Sequence, residues 1–194
     1  MHKPHGIIVF GANGSGKSTL GRELARILKF KYMDIEDYHF EKSEVPYTVE
    51  RSHEDCLNFM LADIEKYNSF VLSAVTGDFG EKISSMYDLA VFMSAPIEIR
   101  MERIGQREYR KHGERIYKGG DMCEQHLKFV NAVRIRDLSH IDKWAETLNC
   151  PVICVDGTKD YRQTAADIAK QITQEKNKDN NKRIMSKAPY IVIS

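Results

Sequence analysis

The sequence predicts an α/β fold, a doubly wound five-stranded parallel sheet with helices on both faces. Five apolar runs of strand length alternate along the chain with longer stretches that have the apolar spacing of amphipathic helices. The five runs are almost continuously apolar, which is typical of strands that are covered on both faces. The sheet is therefore expected to lie between two layers of helices.

The elements follow one another in a regular order. The first strand, residues 7–10 (IIVF), ends at a glycine, and the first helix, residues 17–28, has apolar residues three and four positions apart. The other strands are expected at apolar clusters rich in β-branched and aromatic residues, over residues 30–35, 70–75, 89–95 and 151–155. The other helices are expected over residues 49–66, 96–111, 122–148 and 161–175.

Composition excludes several classes of protein. The 194 residues are 42% hydrophobic and 29% charged, which is typical of a globular chain with about one domain. The 29 basic and 28 acidic residues leave a formal charge of +1, so the chain has no overall field for nucleic acid or an anionic membrane. No apolar run approaches the ~18 residues of a membrane span. We therefore expect a cytoplasmic protein, a monomer or homodimer, without nucleic-acid or membrane partners.

The chain is expected to form one domain over residues 1–175, followed by a polar tail over residues 176–194. The tail begins with KNKDNNKR, which contains no apolar residue. Its last part, residues 190–193 (YIVI), is apolar and predicts either an edge strand or a frayed terminus.

The most specific motif follows the first strand. Residues 11–19 read GANGSGKST and match G-x-x-x-x-G-K-[ST] between a strand and a helix. Glycines let backbone N–H groups turn toward phosphates, and the helix N-terminus adds the positive end of its dipole. Lys17 is expected to hold the β- and γ-phosphates of ATP, and the Ser18 hydroxyl to ligate Mg²⁺. The predicted nucleotide-binding residues here are Gly11, Ala12, Asn13, Gly14, Ser15, Gly16, Lys17, Ser18 and Thr19.

Three carboxylates follow the second strand, at Asp34, Glu36 and Asp37. In a doubly wound sheet the carboxyl end of this strand lies on the same edge as the phosphate loop, so we expect these side chains to face the γ-phosphate. Phosphoryl transfer to a hydroxyl needs a group that orients the hydroxyl or takes its proton, together with Mg²⁺ ligands. The three carboxylates are candidates for both tasks, with Asp34 as a metal ligand, and which of them is the base stays open.

An arginine-rich segment, about residues 100–120, predicts a helical lid inserted between strands four and five. Arg100, Arg103 and Arg107 are spaced three and four apart and so form one basic face of a helix. A lid that closes over ATP brings positive charge to the transferred phosphoryl group. Arg103 and Arg107 are the predicted catalytic arginines, the alternative being surface pairing with neighbouring glutamates.

These features, together with Val155-Asp156-Gly157-Thr158, resemble the nucleoside monophosphate kinase-like group of P-loop NTPases over roughly residues 6–175. The shikimate kinase and gluconate kinase branches are most similar, ahead of the adenylate kinases. In these branches a D-x-D pattern follows strand two, and Asp34 and Glu36 occupy its two acidic positions here. The resemblance implies that Asp34 is the base or lies on the metal side, and that Glu36 or Asp37 lies on the substrate side.

The resemblance also implies the remaining binding residues. Gly157 and Thr158 match the loop that brackets the adenine ring. Arg51 resembles the arginine with which shikimate kinases hold an acidic substrate, and Gly77 lies where those kinases have a glycine-rich stretch. A later helix of similar kinases returns arginines to the site. The implied substrate-binding residues are Asp37, Arg51, Gly77, Arg134 and Arg136.

The function implied is a Mg²⁺/ATP-dependent kinase that phosphorylates a hydroxyl of a small, polar, anionic metabolite. Two alternatives stay open. One is a nucleoside or nucleoside monophosphate kinase, and the other is an ATP-binding regulatory module with slow hydrolysis.

Overall fold

The centre of the molecule is a parallel sheet. The computed structural model describes residues 5–43, 49–179 and 191–193. Neighbouring strands pair in the order β2-β3-β1-β4-β5-β6, all in parallel. The strands are β1 (His5–Phe10), β2 (Lys31–Asp34), β3 (Ser69–Ala74), β4 (Tyr87–Ser94), β5 (Val152–Asp156) and β6 (Ile191–Ile193). The five predicted strands are thus present, and the short β6 adds a sixth at the edge beside β5.

Helices connect the strands. They are α1 (Lys17–Leu28), α2 (Ile35–His39), α3 (His53–Tyr67), α4 (Glu81–Ser84), α5 (Ile97–His112), α6 (Cys123–Ile135), α7 (Ser139–Ala145) and α8 (Tyr161–Asp179), with a 3₁₀ turn at Gly113–Ile116. The short α2 and α4 were not predicted, since a helix of about one turn is too short to show a repeating apolar spacing in the sequence. None of the helices in the described residues combines the length and the apolar character of a membrane span.

The helix expected over residues 122–148 is two helices. The chain becomes extended at Arg136 (φ −61°, ψ 124°), where α6 ends. The carboxylate of Asp137 then accepts a hydrogen bond from the backbone N–H of Ser139 at 2.9 Å, where α7 begins. An aspartate side chain can accept a hydrogen bond from a backbone N–H that a continuous helix would use. The apolar spacing from which the long helix was predicted does not include this effect.

The last helix is longer than expected. α8 continues past residue 175, where the polar tail was expected to begin, and ends at Asp179. Glutamine, glutamate and lysine are good helix formers, so the polar sequence extends the helix. Residues 180–190 and 194 of the expected tail lie outside the described residues.

Two apolar layers enclose the sheet. Side chains of β1 alternate between them, with Ile8 and Phe10 on one side and Ile7 and Val9 on the other. The first layer is completed by α3 and α7, through Met60, Ile64, Ile141 and Trp144. The second is completed by α1 and α8, through Leu20, Leu24, Ala165 and Ile168. This is the doubly wound arrangement that the sequence predicts, and it places the carboxyl ends of all the strands on one edge.

Candidate active site

The loop between β1 and α1 requires its glycines. Gly11, Gly14 and Gly16 have φ values of 139°, 80° and 107°, which L side chains rarely adopt. A Cβ on Gly11 would lie 2.2 Å from the carbonyl oxygen of Met93, and one on Gly14 would lie 2.5 Å from that of Arg100. The backbone of this loop is therefore held tightly against β4 and α5, directly before the N-terminus of α1.

The predicted loop residues divide into two groups. A cleft of about 560 Å³ opens above the loop, and it is lined by Asn13, Gly14, Gly16, Lys17, Ser18 and Thr19. Gly11, Ala12 and Ser15 are buried. The Lys17 ammonium donates a hydrogen bond to the carbonyl oxygen of Ala12 at 3.1 Å, so this buried residue positions the lysine.

Lys17 has an unusual proton affinity. Burial lowers the pKa of its ammonium to about 8, an effect that the charges of Glu36 and Asp34 oppose and those of Arg107 and Arg100 reinforce. A bound phosphate would restore the missing negative charge and favour the protonated lysine. Lys17 is thus a cation whose full charge depends on the anion that it binds.

The affinity for ATP is expected to fall as the pH rises through about 8. The deprotonated Lys17 of the free protein cannot offset phosphate charge, and its pKa lies at about 8. The Kd of ATP measured between pH 6.5 and 10 should therefore rise on the alkaline side. In the Lys17→Arg variant the guanidinium stays charged, so this alkaline rise should disappear. An identical alkaline rise in both proteins would contradict the assignment to Lys17.

Asp34 connects the acidic cluster to the phosphate loop. It is buried at the end of β2, where its carboxylate accepts hydrogen bonds from the Tyr32 hydroxyl at 2.8 Å and the backbone N–H of Glu36 at 3.3 Å. Burial together with the charge of Asp34 raises the pKa of the Tyr32 hydroxyl, and the nearby side chains of Ser73 and Ser18 oppose this effect. Tyr32 thus lies beside both predicted metal ligands, Ser18 and Asp34.

Sequence reasoning missed Tyr32. The one signal in the chain is its position two residues before Asp34, which puts both side chains on the same face of β2. Arg22 escaped notice as well, although its guanidinium lies 3.9 Å from the Asp34 carboxylate and over the Tyr32 ring.

The cleft above the loop is lined by charged side chains of both signs. The predicted carboxylates all line it, and these are Asp34, Glu36 and Asp37. Basic side chains from α1, α5 and the β5–α8 loop line the rest, and these are Lys17, Arg22, Arg103, Arg107, Arg110, Lys111 and Lys159. The topology thus brings the phosphate loop, the acidic cluster and the arginine-rich helix together, as the sequence predicts.

The α5 arginines face the phosphate loop, but they have different surroundings. Arg103 donates to the carbonyl oxygens of Ser15 at 3.2 Å and Gly157 at 2.8 Å, so in this structure it ties two backbone loops together. Arg100 is buried and donates to the carbonyl oxygen of Asn13 at 3.3 Å. Arg107 lines the cleft, where its Nε donates to Glu108 at 3.1 Å. Arg103 thus positions these loops while lining the cleft, and its catalytic role stays a prediction.

The β5–α8 loop is rigidly built. A Cβ on Gly157 would lie 2.4 Å from the carbonyl oxygen of Ser15, and Gly157 lines the cleft. Thr158 uses its hydroxyl and its backbone N–H to hydrogen-bond Asp156, at 2.7 and 2.9 Å, and these bonds lower the pKa of the Asp156 carboxyl. At Gly157 and Thr158, any contact with a nucleotide would therefore come from the backbone, while Lys159 of the same loop lines the cleft with its side chain.

Arg51 uses part of its guanidinium to hold the backbone near the acidic cluster, and its expected contact with a substrate anion stays a prediction. Its Nη1 donates to the carbonyl oxygens of Asp37, Tyr38 and Phe40, at 3.0, 3.0 and 2.7 Å. The last carbonyls of a helix lack partners within the helix, and Arg51 supplies them for α2. Its guanidinium thus stabilises the fold around the acidic cluster.

Gly77, which was expected to bind the substrate, lies away from the cleft above the phosphate loop. It is buried beneath Trp144, and its carbonyl oxygen accepts a hydrogen bond from the Tyr87 hydroxyl at 3.0 Å. It lines neither of the two clefts described in this protein. The glycine is needed for packing, because the tryptophan ring occupies the space of a side chain.

The Gly77→Ala variant is expected to lose about 1 to 3 kcal/mol of unfolding free energy. Its Cβ would lie 2.9 Å from two ring atoms of Trp144 and from the Tyr87 hydroxyl, so the core would have to shift. Urea unfolding measures the loss. Gly105→Ala is the matched control, since a Cβ there meets nothing within 4 Å and alanine favours the α5 helix. Equal stability of the two variants would contradict the packing role.

Arg134 and Arg136, at the end of α6, point in different directions, as expected for residues two positions apart. Arg136 reaches back to the phosphate loop, where its Nη1 lies 3.4 Å from the side-chain oxygen of Asn13. Arg134 is exposed to solvent. Of the two implied substrate-binding arginines, the structure therefore brings only Arg136 to the site.

Comparison with known proteins agrees with this arrangement. A family model described as an AAA domain matches residues 7–125, which contain the phosphate loop, the acidic cluster and α5. The chain belongs to this AAA domain family. Its AAA domain thus extends from β1 into the first turn of α6.

Individual relatives cover different shares of the chain. The uncharacterized protein YqaC of Bacillus subtilis (strain 168) is 27% identical over 158 residues, which cover 77% of this chain and 87% of YqaC. The "Probable gluconokinase" of Rattus norvegicus is 44% identical over 45 residues, 23% of this chain and 24% of that protein. A crystal structure of an unliganded sugar kinase from Janibacter sp. HTCC2649 superimposes with a TM-score of 0.51 at 15% identity, covering 88% of this chain and 95% of that one. The AAA domain of this protein thus has the fold of a P-loop kinase.

Proposed function

We propose that this protein is a Mg²⁺-requiring, ATP-dependent kinase that phosphorylates a hydroxyl group of a small polar metabolite. The observation that carries the proposal is the shared cleft, which brings the phosphate loop and Lys17 together with Asp34, Glu36 and Asp37. A protein that only senses ATP needs no carboxylates opposite the phosphates. The similarity to a sugar kinase fold and to part of a gluconokinase supports a hydroxyl acceptor.

The residues of the cleft divide the work of phosphoryl transfer. The loop N–H groups, the N-terminus of α1 and Lys17 hold the phosphates, and Arg107 adds charge beside Lys17. The acceptor oxygen forms a bond to the γ-phosphorus while the bond from that phosphorus to the β–γ bridging oxygen breaks, and ADP leaves. The hydroxyl proton passes to Asp34 or Glu36. Lys17 and Arg107 offset the negative charge of the transferring group.

The side chains also suit Mg²⁺, which prefers oxygen ligands and is often held by one or two carboxylates together with substrate phosphates. Ser18 and Asp34 supply such oxygens, and Tyr32 donates a hydrogen bond to Asp34 beside Ser18. In the described part of the chain no three His, Cys, Asp or Glu side chains converge on one metal site, which agrees with a metal held largely by the nucleotide. Held by Ser18 and Asp34, Mg²⁺ would offset the negative charge of the nucleotide phosphates.

The nucleotide base is proposed to lie against the β5–α8 loop, with Gly157 and Thr158 beside the adenine. The bond from Arg103 to the Gly157 carbonyl connects this loop to the phosphate loop. A closing motion of the end of α5 and the 3₁₀ turn that follows it would complete the site, within the lid segment that the sequence predicts at about residues 100–120.

The test is ADP release from Mg²⁺-ATP with a panel of polyols, sugars, sugar acids, amino alcohols, nucleosides and mononucleotides. Lys17→Ala serves as the blank, and the phosphorylated product is identified by mass spectrometry. An acceptor that raises ADP release above the blank, with one phosphoryl group gained, is the expected result. Selective phosphorylation of nucleosides or mononucleotides would favour the first alternative. ATP binding with slow hydrolysis that no acceptor stimulates would overturn the proposal in favour of a regulatory module.

A further inference from the structure

A second cleft adjoins the phosphate-loop cleft and shares residues with it. It has a volume of about 1040 Å³ and lies beside α2 and the beginning of α3. Glu36 and Asp37 line both clefts. A molecule in the second cleft would therefore reach the carboxylates that face the phosphate loop, which is where the proposed kinase needs its acceptor.

Negative charge predominates in this second cleft. Of the described residues that line it, the acidic ones are Glu36, Asp37, Glu41 and Asp55, and the basic ones are Lys42 and Arg51. Arg51 already donates to three backbone carbonyls of the α2 region, so its guanidinium serves the fold. Lys42 is exposed to solvent, as is Glu41 beside it. An acceptor here would thus meet more carboxylates than available cations.

Aromatic rings form another part of the same wall. Phe40 and Phe59 line the second cleft, and the Phe59 side chain is 56% exposed. The guanidinium carbon of Arg51 lies 5.2 Å from the centre of the Phe59 ring, so this ring already has a cation on one face. Carboxylates combined with aromatic rings are groups that bind ammonium ions in proteins.

The two clefts differ in charge, so each favours a different ligand. The phosphate-loop cleft has seven basic and three acidic side chains among its described lining residues, which suits a polyanion. The second cleft has the opposite balance. An anionic acceptor would be repelled by the carboxylates that have to receive it, whereas a cation would be attracted to them.

We infer that the phosphoryl acceptor is a cationic hydroxyl compound, a small molecule with an amine group beside the hydroxyl that becomes phosphorylated. Its hydroxyl would lie at Glu36 and Asp37, next to the phosphate-loop cleft, with the ammonium toward Glu41 and Asp55. The inference rests on the proposed kinase function. It replaces the anionic acceptor that the resemblance to gluconate and shikimate kinases implies.

The first experiment compares hydroxyl acceptors of similar size that carry a positive, a neutral or a negative group. Glucosamine, glucose and gluconate form one matched set, and ethanolamine, ethylene glycol and glycolate form another, within a panel of amino alcohols, amino sugars and aminocyclitols. The best amine-bearing acceptor should have a kcat/KM at least about tenfold above that of its neutral and acidic counterparts. An equal or higher value for the neutral or acidic counterparts would overturn the inference and leave the kinase function standing. Phosphorylation of no compound in any charge class would overturn both.

The second experiment reverses one charge of the cleft. Glu41→Lys should lower kcat/KM for the amine-bearing acceptor about tenfold and raise it for the matched acid, with the KM for ATP unchanged. Glu65→Lys makes the same substitution at an exposed position of α3 that lines neither cleft, so it should change no kinetic constant. Circular dichroism and thermal unfolding establish that both variants fold. The inference fails if the two variants have the same acceptor preference as the unaltered protein.

Discussion

Lys17→Met is expected to lower kcat/KM for ATP by about 10³-fold. The variant keeps a side chain of similar length but removes the ammonium that faces the phosphates at the N-terminus of α1. Steady-state ADP release, with saturating acceptor and varied ATP, measures the loss. Lys170→Met, at an exposed position of α8 outside both clefts, is the matched control and should change kcat/KM less than twofold. If kcat/KM for ATP in Lys17→Met stayed within tenfold of the value in the unaltered protein, Lys17 would have no major role in phosphate binding.

The same variant should not lose stability without nucleotide. The folded protein lowers the pKa of Lys17 from the ordinary value of 10.5 to about 8, so the unfolded chain binds more protons between these two pH values. The contribution of Lys17 therefore makes unfolding free energy rise with pH across this window, and below about pH 8 the buried ammonium costs stability. Lys17→Met removes that cost, so near pH 7 its urea midpoint should equal or exceed that of the unaltered protein. A lower midpoint would show that loss of activity reflects damage to the fold.

Asp34→Asn is expected to lower kcat by about 10²- to 10⁴-fold, the range associated with removal of a general base. The amide oxygen still accepts from the backbone N–H of Glu36, so the beginning of α2 is preserved. The variant loses the negative charge between Tyr32 and the phosphate loop, which either the acceptor proton or Mg²⁺ requires. Rates at several Mg²⁺ concentrations distinguish these roles. A higher Mg²⁺ requirement indicates a metal ligand, and a loss that saturating Mg²⁺ does not restore indicates the base.

The control for this variant is Asp167→Asn on α8. Asp167 accepts a hydrogen bond from Gln163 at 3.0 Å and lines neither cleft, so its replacement should leave kcat within twofold. If Asp34→Asn also kept kcat within about threefold, Asp34 would have no part in the chemistry and Glu36 would become the candidate base.

The sequence predicted most of the architecture because the architecture depends on local pattern. The strands over residues 7–10 and 70–75 are recognised from their own apolar residues, and the phosphate loop from the spacing of its glycines and Lys17. The break before α7 escaped prediction, since it involves hydrogen bonds that Ser139 donates to the carboxylate of Asp137. The site was also predicted in outline. The parallel strand arrangement follows from the apolar pattern, and it brings Asp34 to the edge of the sheet where the phosphate loop lies.

By itself, then, the sequence determined the parallel sheet, the phosphate loop and the acidic cluster, because each is encoded by residues close together in the chain. Only the tertiary structure decided what the individual arginines and glycines do. Arg103 bonds to Gly157, which is 54 residues away, and Gly77, between β3 and α4, packs beneath Trp144 of α7. Every residue has a backbone carbonyl oxygen, and the partner of a ring face can lie anywhere in the chain. Such contacts therefore have no signature in the amino-acid sequence. For the same reason the negative charge of the second cleft became evident only when α2 and α3 lay side by side.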